Sequence, residues 1–182
     1  MPAAARILFP GTLSYGPNVD GASWFCREVL PRVREAAPDV ELDIVGRDAV
    51  PEVLELGRLP GVRVHSDVPS MGPHFSAARV VVVPLRLGTG TRLKALEALA
   101  ASRPLVGTSI GLEGLGLVDG VHARVADGPG EMTSAILELL GDRAVAQGLA
   151  VAGRELVEDR FGWDRVGKDF VDAMTAEVRR SS

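Results

Sequence analysis

The chain has 182 residues, of which 46% are hydrophobic, and a formal net charge of −4. That length suits one domain with one substantial core, and the acidic balance removes the strong electrostatic case for nucleic acid, since domains that bind it usually carry a clustered basic face. The single cysteine, Cys26, permits no internal disulfide and is expected to be a buried thiol in a reducing compartment.

No apolar run approaches the roughly 20 residues that span a bilayer. Met1 to Arg6 lack the apolar core of a signal peptide, so a cytoplasmic, soluble chain is expected. In chain order, Arg6 to Pro10 reads as a first strand and Gly11 to Asn18 as a glycine-bearing loop closed by an Asn cap. A helix over Val19 to Ala37 follows from the spacing of Trp24, Phe25, Val29, Leu30 and Val33, with a kink at Pro31 and a stop at Pro38. Strands are expected at Glu41 to Gly46, Val62 to His65, Val80 to Val83, Pro104 to Gly107 and Ala123 to Ala126. Helices are expected at Pro73 to Ala78, Thr91 to Ala101 and Glu131 to Leu140, and a helical tail over about 142–182. Strands alternating with helices at this spacing give an α/β fold, a Rossmann-like doubly wound parallel sheet of about six strands with helices on both faces. The whole of 1–182 reads as a single domain.

The chemistry concentrates between Val80 and Ala98. Four consecutive valines form a strand buried on both faces. Gly88 and Gly90 then let backbone amides approach a ligand, Thr89 and Thr91 offer hydroxyls or caps, and a helix opens with Arg92 and Lys94. The start of a helix presents unpaired N–H groups and the positive end of its dipole to an anion. Glu97 stands on the same helix face as Lys94, three residues on, where a carboxylate can accept from two hydroxyls. Arg92 and Lys94 point about 200° apart, which ranks Lys94 first as a phosphate contact. A diphosphate near Gly88 to Lys94 and a ribose near Glu97 use all these groups, with Gly11 and Thr12, in the loop after the first strand, facing the same ligand.

These residues resemble the nucleotide-sugar-binding, C-terminal half of a family-four retaining glycosyltransferase with the two-domain GT-B fold. The resemblance runs through Ile7 to Leu13, Pro17 to Asp20, Trp24-Phe25, Ile44 to Gly46, Ala77 to Pro84, Gly90 to Ala100, Arg103 to Val106, Thr108 to Gly111 and Glu113 to Leu115. Arg160 to Asp164 is similar to the family's last helix. The resemblance implies a hexosyltransferase-type donor domain that binds a nucleoside-diphosphate sugar, such as a UDP-sugar, at Gly11, Thr12, Gly88, Thr89, Gly90, Thr91, Arg92, Lys94 and Glu97. It implies no metal and no cofactor beyond the substrate. It also implies an N-terminal acceptor domain, absent here, so that this chain alone is expected to be inactive and its exposed interdomain surface to favour a homodimer. The alternative is a non-catalytic nucleotide-sugar-binding or assembly module of the same fold.

Two departures from the family pattern stand out. The first glutamate of its Glu-x7-Glu motif falls on Thr89, and its phosphate-binding Arg and Lys fall near Thr12 and Asn18. Arg92 and Lys94 are then the available cations. His65, His74 and His122 show no metal-ligand spacing, and no Ser-His-Asp set, CxxC, Walker lysine motif or acidic metal pair is present. Phe161 and Trp163 are expected to pack the last helix.

Overall fold

A computed structural model describes residues 5–162. Trp163, Asp164 and the expected continuation of the helical tail lie outside the described residues. The core is a six-stranded, all-parallel sheet in the order β3-β2-β1-β4-β5-β6. Its strands are β1 (Arg6–Thr12), β2 (Glu41–Arg47), β3 (Val62–Ser66), β4 (Val80–Val83), β5 (Leu105–Gly107) and β6 (Arg124–Val125). The helices are α1 (Gly16–Trp24), α2 (Leu30–Ala36), α3 (Pro51–Leu56), α4 (Gly72–Ala77), α5 (Leu93–Ala100), α6 (Pro129–Gly141) and α7 (Arg143–Phe161).

Strand periodicity divides the core into two layers. Ile7, Phe9, Leu42, Ile44, Val80 and Val82 face one side, against Phe25 and Val33 of the continuous helical run from α1 to α2 and Met132 and Ile136 of α6. Leu8, Val45, Val81, Val83 and Leu105 face the other, against Phe75 of α4 and Ala95, Ala98 and Leu99 of α5. Val80 to Val83 are completely buried, as their unbroken apolar run requires. Helix α7 is capped by Asp142, whose carboxylate accepts from the Ala144 and Val145 N–H groups at 2.9 and 3.0 Å. It carries Ala146 and Leu149 in the first layer and Val157 against the second.

Four local expectations need correction. Helix α1 begins at Gly16, not Val19, because Pro17 has the φ of a first helical turn; Asn18 is therefore inside the helix and caps nothing. The kink expected at Pro31 is a π-helical turn over Phe25–Val29, in which the Leu30 N–H reaches the Phe25 carbonyl five residues back. Proline has no N–H and its ring excludes the carbonyl four residues earlier, so the widened turn just before it absorbs the mismatch. Helix α5 begins at Leu93, with Arg92 at its cap and no side-chain capping bond, so neither Thr89 nor Thr91 caps it. Helix α3 was unforeseen: it has only Val53 and Leu56 buried, too few to give a period.

Candidate functional site

In this strand order the sheet reverses direction of growth between β1 and β4, and such open sheets bind ligands beyond the strand carboxyl ends at that point. A cleft of about 650 Å³ lies there. Its floor is the end of β1, where Gly11 and Thr12 are strand residues and not the loop expected of them. Helix α5 supplies Lys94 and Glu97, the loop before it Thr89 and Thr91, and the segment after β3 adds Val68 and Met71.

Lys94 is the most constrained of these groups. Its ammonium donates to Asn18 Oδ1, and the Asn18 amide donates in turn to the Thr12 carbonyl at 2.7 Å. The ammonium also stands 5.3 Å from the centroid of the Phe9 ring. Burial, aided by the Arg92 charge and opposed by Glu97, pushes the Lys94 pKa down to about 8. Gly11 makes this arrangement possible: a Cβ there would lie 2.7 Å from Asn18 Nδ2 and 3.1 Å from Lys94 Nζ.

Glu97 lines the same cleft and remains exposed. Because Lys94 turns to Asn18, the two do not form the surface ion pair their spacing allows; among the described residues nothing engages the Glu97 carboxylate. Loss of hydration raises its pKa, and Lys94 works against that rise.

Arg92 serves a different purpose. Its guanidinium is buried and donates to the Ile110 carbonyl at 2.8 Å and the Gly88 carbonyl at 3.0 Å, with the Glu113 carboxylate at 3.4 Å. It thus ties the loop after β4 to the loop after β5. Thr108 reinforces that tie by donating to the Leu85 carbonyl and accepting from the Gly111 N–H at 2.9 Å. In the tied loop Gly88 and Gly90 adopt φ of +119° and +97°, a region open to glycine.

Sequence reasoning passed over Arg47. This exposed last residue of β2 lines the cleft, with its Nε 3.4 Å from Thr12 Oγ1. Its place at a strand carboxyl end beside the switch point was the available signal. Tyr15, Leu87 and Leu93 add an exposed apolar group around the cleft, whereas α7 exposes Val151 and Phe161. Cys26 is buried as expected, and burial pushes its thiol up to about 12, which leaves it unreactive. No described helix is long and apolar enough to cross a membrane.

A family model described as glycosyl transferases group 1 matches residues 4–142. The chain belongs to this family. It is 30% identical over 175 residues to a glycogen synthase of Mycobacterium tuberculosis, a match covering 89% of this chain and 40% of that one. It is 29% identical over 161 residues to a GDP-mannose-dependent α-(1-6)-phosphatidylinositol monomannoside mannosyltransferase of Mycolicibacterium smegmatis, covering 80% of this chain and 42% of the other. The chain thus spans about two-fifths of the length of these curated relatives. Among solved structures, Anabaena HepE in complex with UDP and glucose superimposes with a TM-score of 0.76 at 14% identity, over 95% of this chain and 48% of that one. The C-terminal domain of the group 1 protein LpcC from Francisella tularensis matches with a TM-score of 0.67 at 16% identity, over 90% and 89% of the two chains. The fold is that of the C-terminal domain of a GT-B glycosyltransferase.

Proposed function

We propose that this chain is the donor half of a retaining, metal-independent glycosyltransferase, and that its cleft holds a nucleoside-diphosphate sugar. The observation that carries this reading is the pairing of a half-buried, Asn18-held ammonium with an unengaged carboxylate one turn further along α5, at the switch point of the sheet. Lys94 meets the diphosphate, together with the N–H groups of the Gly88 to Thr91 loop and of the first turn of α5. Arg47 supplies a second cation at the mouth of the cleft. Glu97 accepts from the ribose hydroxyls, and Val68 and Met71 provide an apolar wall for the base. UDP in the structurally similar HepE supports a nucleoside diphosphate as the ligand class.

As the bond from sugar to diphosphate breaks, negative charge gathers on the departing phosphate oxygens. A fixed ammonium and prealigned N–H groups stabilise that charge without reorganising. The acceptor belongs to a second domain that meets this one across the cleft, for which the exposed Tyr15, Leu87 and Leu93 provide the rim. The chain alone therefore binds donor and does not transfer sugar. Thr89, where the family motif carries its first glutamate, favours a second reading in which the module binds nucleotide without turnover.

Thermal unfolding with UDP, GDP and TDP, on the parent chain and on Lys94→Ala and Glu97→Ala, tests the site. A ligand present at a hundredfold excess over Kd stabilises the folded state by about 2.7 kcal/mol. Stabilisation by one diphosphate, lost in both variants, is expected; equal stabilisation of parent and variants would refute it.

A further inference from the structure

On the face of the sheet that packs α4, a second polar cluster lies outside the cleft. Asp43 of β2, His65 of β3 and His74 of α4 each offer one ligand atom, and these atoms lie within 4.8 Å of one another. None of the three lines the cleft. His65 Nε2 stands 3.4 Å from Asp43 Oδ1, and the two imidazole centroids are 5.1 Å apart. The β2–β3 register creates the pair: His65 lies opposite Val45, one pleat from Asp43 on the same face. Asp43 is 3% exposed, and its other oxygen, Oδ2, pairs with Arg6 at 3.3 Å. That contact fixes the carboxylate and leaves Oδ1 turned toward the histidines.

We propose that Asp43, His65 and His74 form a binding site for a divalent transition metal of the zinc class. Imidazole nitrogen and carboxylate oxygen together suit such ions. Two ligands of one tetrahedral zinc, each at about 2.0–2.1 Å, stand about 3.4 Å apart, which is the separation between His65 and Asp43. A rotation of the His74 ring closes the third side, and water completes the shell. Arg6 acts on the carboxylate from outside, as the outer partners of metal ligands do. The ion would join β2, β3 and α4. Between His65 and His74 lie Val68 and Met71, which line the cleft, so chelation would fix both ends of the segment that forms one cleft wall. This site rests on its own geometry and not on the sugar-transfer reading.

The test is titration of the untagged, chelator-treated full chain with Co²⁺, followed by its displacement with Zn²⁺, on the parent and on His65→Gln, His74→Gln and His122→Gln. The expected result is one equivalent of cobalt with the visible bands of a four-coordinate ion. His65→Gln and His74→Gln should each weaken binding at least about tenfold, since outer-shell changes alone cost roughly 10–100-fold; His122→Gln should not. X-ray absorption of the zinc-loaded parent counts the imidazoles independently of whether a variant folds, with two expected. Absence of stoichiometric binding at micromolar metal, binding unchanged in both histidine variants, or an imidazole count other than two would overturn the site.

Discussion

Asn18 and Lys94, 76 residues apart, are joined by a hydrogen bond from the lysine ammonium to the asparagine carbonyl, while the asparagine amide donates to the Thr12 carbonyl. One side chain thus positions the cleft's half-buried cation and secures the end of β1. Replacing Asn18 with Ala leaves the half-buried Lys94 ammonium without its acceptor and the Thr12 carbonyl with only the Tyr15 N–H at 3.3 Å. A loss of about 1–3 kcal/mol is expected, read as a lower urea midpoint at unchanged slope, together with weaker nucleoside-diphosphate binding. An unchanged midpoint would show that the bond carries no stability.

The depressed pKa of Lys94 has consequences of opposite sign for folding and for ligand binding. Between about 8, the folded value, and the ordinary 10.5, the unfolded chain holds the proton that the folded chain has released. Stability therefore rises with pH across that window, by up to about 3 kcal/mol for a shift of this size at about 1.36 kcal/mol per unit. Below pH 8 both states are protonated and the contribution levels off at its least favourable value. Diphosphate affinity runs the other way, falling as pH rises through 8 and the ammonium loses its charge. Unfolding and calorimetric binding at several pH values, on the parent and on Lys94→Met, check both slopes; the variant should flatten both.

Glu97 is exposed and unengaged, so Glu97→Gln should leave stability within about 0.5 kcal/mol. A hydroxyl donating to a charged carboxylate contributes about 1.5–3 kcal/mol, or roughly 10–100-fold in Kd. The parent should therefore prefer a ribonucleoside diphosphate to its 2′,3′-dideoxy analogue, and the variant should bind both about equally. Undiminished preference in the variant would remove Glu97 from the ribose.

Arg92→Lys retains the charge but not the fork that reaches Ile110 and Gly88 together. Half-buried carbonyls lose donors, and a drop of about 1–3 kcal/mol is expected. If Arg92 acts by tying loops, amide hydrogen exchange should quicken at Gly88 to Thr91 and at Ile110 together. Weaker nucleotide binding without faster exchange would instead make it a direct charge contact.

Much of the fold was legible because burial leaves its period in the chain. Val80 to Val83 could be placed to the residue, since an unbroken apolar run without alternation marks a strand covered on both faces. Helix α3 left no comparable trace, having only two buried positions. The cleft was legible in part: Gly11, Thr12, Thr89, Thr91, Arg92, Lys94 and Glu97 line one cavity, whereas Gly88 and Gly90 do not, and the helical repeat did not apply to Arg92, which stands at the cap before α5. Asn18 was misjudged because an asparagine before a helix usually caps it, whereas Pro17 moved the start upstream. Arg47, His65 and Asp43 could not be grouped with their neighbours, because strand register and not local spacing decides which side chains meet across β1, β2 and β3.

Asp142 is both the last residue of the family match and the cap from which α7 departs. That helix packs Ala146 and Leu149 into one layer, and at Gly153 passes so close to Leu99 that a Cβ would lie 2.5 Å from the leucine methyl. The two sides of the sheet, already joined through their common strands, are thus also bridged by one helix. Heat or denaturant should produce a single all-or-none transition, and a chain cut after residue 142 should lose the contacts of α7 with both layers and unfold at a lower midpoint.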